Sequence, residues 1–289
     1  MSCAADAVLH VSTFQAAVLG LTQGLSEFIP ISSSGHLILV PWAFGWDEIY
    51  CAKEGNKFFD VALHLGTFVG AAAYLRRDLW TLIRAWFASV RARAVRTPEE
   101  RLAWFLVLST IPAAVLGALL EDTISESLGH PWQIAVLLAV FGVILYAVDR
   151  LAPQRTPYRE MSARQAIAMG AGQALALAPG VSRSGGTITA GRLLGLDRDA
   201  AARFSFLMSL PIILGALIFS TLELEGSSGV GGSQLAVGIA CSAISGLAAV
   251  WAVLTMVRKR GYGVFAVYRL AVAALVVALI ATNARSGTI

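Results

Sequence analysis

Apolar runs of near-spanning length, separated by short charged blocks, leave this chain few folds. Residues 58–75, 102–120, 132–149, 204–222, 234–257 and 264–282 each approach the ~20 residues that cross a bilayer as a helix. Only 14% of residues are charged, against about 25% in a soluble domain. A backbone in lipid must satisfy its own hydrogen bonds, as helices or as a closed barrel. The alternating segments of about ten residues that a barrel needs do not occur. The expectation is an all-α polytopic membrane protein, with residues 1–289 forming a single membrane domain.

The net charge of +4 does not point to nucleic acid, because the basic residues cluster at the ends of apolar runs, the positive-inside pattern. Cys3, Cys51 and Cys241 are scattered and odd in number, which suggests neither a disulfide framework nor a metal knot. The opening MSCAADAVLH lacks a basic leader, so no cleaved signal peptide is expected.

Two further apolar regions are too short to span. Residues 7–24 and 36–45 are split by QGLSEFIPISSSGH, and residues 161–178 and 186–196 are split by APGVSRSGGT. Each reads as a pair of short helices that enters the membrane and turns back. Irregular backbone at that depth survives only inside protein or beside a water-filled cavity. Loops 76–101, 150–164 and 258–260 are arginine-rich and belong in the cytoplasm. Loops 46–57, 121–131 and 223–233 are acidic or neutral and belong outside. Within 76–101, WTLIRAWFASV reads as an amphipathic interfacial helix. Six transmembrane helices and two re-entrant pairs close the parity, the first pair entering from outside and the second from inside.

That arrangement is an inverted repeat, with halves of approximately 7–120 and 161–257. GLTQGLSEFIPISSSG resembles GAGQALALAPGVSRSG, with Gln23 to Gly35 and Gln173 to Gly185 both twelve apart. FLVLSTIPAAVLGA (105–118) likewise resembles FSFLMSLPIILGA (204–216). Inverted repeats with broken helices place a binding site near the midplane, so the two polar motifs should face each other.

In the second motif, Ser182, Arg183, Ser184, Gly185 and Thr187 precede a short helix. Hydroxyls and glycine-exposed amides at a helix start bind anions, and arginine presents a planar fork to phosphate oxygens. A small-residue packing seam is the bland alternative, but it needs no arginine. In the first motif, Ser32, Ser33, Ser34 and Gly35 offer a second phosphate cradle, against ordinary N-capping by serine. His36 can serve as base, acid or nucleophile. Glu27 is a carboxylate in apolar surroundings, and its bland role is as a structural partner of Arg183. Gln23 can hydrogen-bond but is uncharged and a poor metal ligand. His64 reads as packing within a plain apolar span, and His10 and His130 as peripheral. Two cradles imply a diphosphate head group, and its processing inside a membrane implies a lipid. A divalent ion, Mg or Ca, bridging Glu27 and the diphosphate would fit.

Gln23, Glu27 and SSSGH, together with PGVSRSGGT at 179–187, resemble the motifs of the undecaprenyl-pyrophosphate phosphatases of the bacitracin-resistance type. The resemblance covers nearly the whole chain. It implies a bacterial inner-membrane enzyme that converts undecaprenyl pyrophosphate to undecaprenyl phosphate and phosphate, recycling the carrier lipid, with its site open to the periplasm. It implies a metal or acid–base role for Glu27, a nucleophilic or base role for Ser33 or His36, and a phosphate role for Arg183. Many relatives have a second glutamate where Gln23 stands. The partners expected are a polyprenyl pyrophosphate lipid and the bilayer, not nucleic acid; a homodimer is compatible with this reading. The competing class is a polyprenyl-phosphate transporter or flippase. A different membrane phosphatase class needs a second histidine after its Ser-Arg pair, and residues 184–195 contain none.

Overall fold

The computed structural model describes residues 9–51, 53–223 and 230–288. The amino-terminal segment read for a leader, Cys3 and most of the 223–233 loop fall outside the described residues. Among those described there are twelve α-helices and one short 3-10 turn, Tyr158–Glu160. The helices are α1 Thr13–Phe28, α2 Ser33–Phe44, α3 Glu48–Cys51, α4 Lys53–Tyr74, α5 Arg76–Ala92, α6 Pro98–Ser127, α7 Pro131–Leu151, α8 Ala163–Leu175, α9 Arg183–Leu193, α10 Arg198–Glu223, α11 Gly232–Arg260 and α12 Gly263–Ala281.

Five helices, α6, α7, α10, α11 and α12, are long and apolar enough to cross a membrane. Residues Lys57–Tyr74 of α4 make a sixth span when counted with α5, which leaves it at 85°. Beyond the bend, α5 buries Leu82 and Ser89 and exposes Trp80, Ile83 and Phe87 beside Arg84, the two-faced pattern of an amphipathic helix. Lipid replaces water around the spans. On α6, Val107, Ile111, Val115 and Leu119 are exposed at four-residue steps, one apolar stripe down the helix.

The helices α1 and α8 are short because each ends against a break. Gln15 caps α1 reciprocally with Ser12, and Gln165 does the same for α8 with Ser162. Their partners α2 and α9 begin after breaks of four and seven residues, respectively, and none of the four helices is long and apolar enough to span. The open ends of the two hairpins lie at opposite ends of the molecule. Gln15 bonds Glu48, and Trp42 bonds the Ser286 carbonyl beyond α12. Arg192 of α9 instead reaches the carbonyls of Ala152 and Pro153 after α7. That second end also gathers the arginine-rich segments. Asp149 takes Arg198 at 2.7 Å and the Tyr262 amide at 3.1 Å, and Arg192 stands 3.5 Å away. Both Asp149 and Arg192 are buried, so each charge needs the other.

Small residues set the closest helix contacts. Gly20 and Gly24 of α1 lie against Gly238, Ser242 and Ser245 of α11, while Gly66 and Gly70 of α4 lie on Ile239 and Ala243. Four-residue spacing of small residues lets helices approach in lipid, where the hydrophobic effect does not drive them together. A Cβ on Gly24 would overlap both Ser245 Oγ and Ser242 O, whereas nothing lies within 4 Å of one on Gly215. Gly24→Val is therefore expected to abolish a monodisperse, folded peak in detergent size exclusion, and Gly215→Val to leave it intact.

Candidate active site

The two breaks meet. Ser32 and Ser182 stand as N-caps of α2 and α9 with φ of 78° and 76°, in the left-handed region that side chains other than glycine's disfavour. Each hydroxyl accepts the amide three residues on, Gly35 for Ser32 and Gly185 for Ser182. Ser32 Oγ also accepts the Gly180 amide at 3.0 Å, and Ser184 Oγ donates to the Ile29 carbonyl at 3.3 Å. Both bonds cross from one hairpin to the other.

Arg269, in the middle of α12, holds this crossing from beneath. It is fully buried, and its guanidinium donates to the carbonyls of Gly180 (2.7 Å), Val181 (3.1 Å), Leu138 (3.1 Å) and Pro30 (3.3 Å). Among the described residues it has no carboxylate partner. Its planar fork serves as a carbonyl clamp joining both breaks to α7.

Four of the expected site residues converge at the top of the clamp. Glu27, with a side chain only 1% exposed, bonds Arg183 through Oε1 at 2.5 Å. Its Oε2 accepts from Ser33 Oγ at 2.7 Å and from Gln23 Nε2 at 2.9 Å. Gln23 thus anchors the carboxylate as a neutral donor, and its own Oε1 has no partner. His64 differs from the packing role its apolar span suggests: its Nε2 faces Glu27 Oε2 at 3.7 Å.

His36 stands apart from this group. Its Nδ1 lies 2.8 Å from the Ser32 carbonyl and its Nε2 lies 2.9 Å from the Tyr268 hydroxyl, with the two rings stacked. Both ring nitrogens are engaged. A carbonyl only accepts, so Nδ1 carries the proton and Nε2 receives the Tyr268 hydroxyl. Ser34 and Ser184 approach the capping hydroxyls of Ser32 and Ser182 at 3.5 and 3.3 Å. Gly35 and Gly185 supply the capped amides, and Gly185 also leaves room for Arg269. Thr187 turns away: its hydroxyl lies 2.6 Å from that of Ser205 and 2.9 Å from the Arg183 carbonyl, bracing α9 against α10.

The donors around Glu27 do not make a resident metal site. Among the described residues no three His, Cys, Asp or Glu side chains gather to hold an ion. Glu27 is already bonded through both oxygens, one of them to a cation, so an ion there would have to displace an existing bond. What the group offers instead is a hydroxyl on a buried carboxylate, a cation beside it and two helix starts, which suits attack on an anionic phosphorus centre.

Sequence reasoning passed over Arg269 and Tyr268 and gave His64 a packing role. The available signal was the ionisable residue itself within an apolar run, since such residues in membrane segments mark function or pairing.

The fold and this group together define a polytopic helical membrane protein whose two non-spanning hairpins build one polar centre. The chain belongs to the family of the bacitracin resistance protein BacA, whose model matches residues 16–275. It is 44% identical over 269 residues to an undecaprenyl-diphosphatase of Caldicellulosiruptor bescii, covering 93% of this chain and 97% of that one. Identity is 42% over 272 residues to that of Desulforudis audaxviator, covering 93% and 99%. It is 43% over 273 residues to that of Pelotomaculum thermopropionicum, covering 94% and 98%.

Lysine keeps the charge of Arg269 but cannot reach carbonyls on three segments at once. Each carbonyl left unpaired costs about 1–3 kcal/mol. Arg269→Lys is expected to lower the thermal midpoint in detergent by several degrees, read by intrinsic fluorescence; an unchanged midpoint would refute the clamp.

Proposed function

We propose that the chain is an undecaprenyl-diphosphatase, hydrolysing undecaprenyl diphosphate to undecaprenyl phosphate and inorganic phosphate and so returning the lipid carrier to cell-wall synthesis. The observation that carries this reading is the Ser33 hydroxyl donating to a buried carboxylate at 2.7 Å while Arg183, from the other hairpin, holds the second oxygen. A carrier that only moves a polyprenyl phosphate has no use for a hydroxyl held on a base.

On this reading the diphosphate enters between the starts of α2 and α9. Ser33 Oγ gives its proton to Glu27 and bonds to the terminal phosphorus. The bond from that phosphorus to the bridging oxygen breaks, and its electron pair leaves on the lipid monophosphate. Arg183 and the helix starts stabilise the charge on the transferring phosphoryl group. Water then attacks the serine ester, returning the hydroxyl and releasing phosphate. Ser33 rather than His36 is the nucleophile, because both nitrogens of His36 are committed; His36 positions the Ser32–Ser33 backbone.

The reading extends to location. It places the chain in the bacterial inner membrane with the site facing the periplasm. His64 stands seven residues into the Lys57–Tyr74 run, about 10 Å from the arginine-poor end at about 1.5 Å per residue. The matching geometry at Ser32 and Ser182, and the opposed openings of the hairpins, support an inverted repeat.

Glu27→Ala and Arg183→Ala are each expected to cut phosphate release from a C15 or C55 isoprenyl diphosphate by at least about a hundredfold, the scale of a lost electrostatic contact. Assays with Mg, with Ca and with a chelator separate the protein's contribution from that of cations carried by the diphosphate. Near-normal turnover in either variant would reject the site.

A further inference from the structure

We propose that His64 is a proton relay, carrying the proton that Glu27 receives out of the buried site to solvent. This rests on Glu27 acting as base toward Ser33. Hydrolysis to the lipid monophosphate and a hydrogenphosphate dianion releases one net proton. With the Ser33 hydroxyl restored by water, that proton rests on Glu27, which cannot release it directly because its side chain is 1% exposed. Of its four partners, Arg183 has no acceptor, the Gln23 amide faces it with a donor, and Ser33 is the proton's source. His64 is the partner that can accept, and its side chain is 29% exposed.

The ring is set for that role. Its Nδ1 lies 2.7 Å from the Asp60 carbonyl on the same helix. A carbonyl accepts only, so Nδ1 carries hydrogen and the neutral ring presents the Nε2 lone pair to Glu27. Backbone contacts brace the turn, with Thr67 Oγ1 donating to the His64 carbonyl and Ser242 Oγ of α11 donating to the Leu63 carbonyl. The charged side chains beside the ring are Glu27 from α1 and, across Glu27, Arg183 from α9; Asp60 lies one turn earlier on its own helix. The 3.7 Å gap closes with a small shift, as catalytic hydrogen bonds do once substrate binds. Ser33 loses its proton to Glu27, protonated Glu27 passes it to His64 Nε2, and the imidazolium delivers it to water. The atoms balance without any further reactant.

His36 is excluded from this path by its bonds to Ser32 and Tyr268. Gln23 matters for the same reason. A second carboxylate there could hold the proton, and a neutral amide cannot, so in this chain the relay falls to α4.

The experiment measures kcat and KM for farnesyl diphosphate in His64→Ala, His64→Gln, Glu27→Gln and Ser33→Ala, each with and without added imidazole. His64→Ala is expected to lose roughly 10- to 100-fold in kcat, at the low end of general acid–base effects, with KM little changed. Imidazole should restore part of that loss, while Glu27→Gln stays unresponsive. His64→Gln keeps the size and a hydrogen bond but cannot relay, so it should be as slow as His64→Ala. Wild-type kcat in His64→Gln would overturn the relay, and that variant decides the matter if His64→Ala does not fold. A slow His64→Ala that imidazole leaves unchanged would also overturn it. Full turnover in Glu27→Gln or Ser33→Ala would instead overturn the underlying reading, whatever His64 does.

Discussion

The Glu27–Arg183 pair is the constraint from which the rest of the molecule follows. A carboxylate this deeply buried is costly unless a partner and hydrogen bonds compensate it. The partner comes from the other hairpin, 156 positions along the chain. Neither break could sit at membrane depth alone, because its loosened backbone would be left in lipid. Together they satisfy each other, through Ser32 on the Gly180 amide, Ser184 on the Ile29 carbonyl and Arg269 on the carbonyls of both.

The remaining spans serve that meeting. The glycines of α1 and α4 seat both helices on α11, which carries Glu27 and His64 to within reach of one another. The Asp149 lock ties α7, α9, α10 and the start of α12 at the arginine-rich end. It fixes the far end of α9, and so the position of Arg183 at the near end. Two positively charged guanidinium groups, Arg192 and Arg269, are wholly enclosed. Both are satisfied chiefly by backbone carbonyls, which suits arginine's planar fork better than lysine's point charge.

Function and rigidity meet at Ser32 and Ser182. Both hold a backbone angle that costs energy for a residue with a side chain. Each uses its hydroxyl to cap the helix that follows, and Ser32 reaches across to the other hairpin as well. Ser33, the proposed nucleophile, is the residue immediately after such a cap, so its hydroxyl is aimed by a turn with little freedom to relax. Preorganisation of this kind lets a group with no unusual chemistry act as a nucleophile when a carboxylate stands at 2.7 Å.

The sequence by itself determined the class, the spans and the two breaks. Hydrophobicity and arginine bias are set by the bilayer, which acts on each segment locally. The amphipathic helix α5 and the shortness of α1 and α8 were legible for that reason, as was the polar content of the two motifs. Which of those residues touch was decided by tertiary structure. Nothing in the spacing of SSSGH separates Ser33, which faces Glu27, from His36, which turns to Tyr268. Nor does an apolar run disclose that His64 faces a carboxylate, or that Arg269 clamps both breaks. Such contacts depend on how helices far apart in the chain cross. In lipid, small residues and buried hydrogen bonds decide that crossing, and hydrophobic pattern does not.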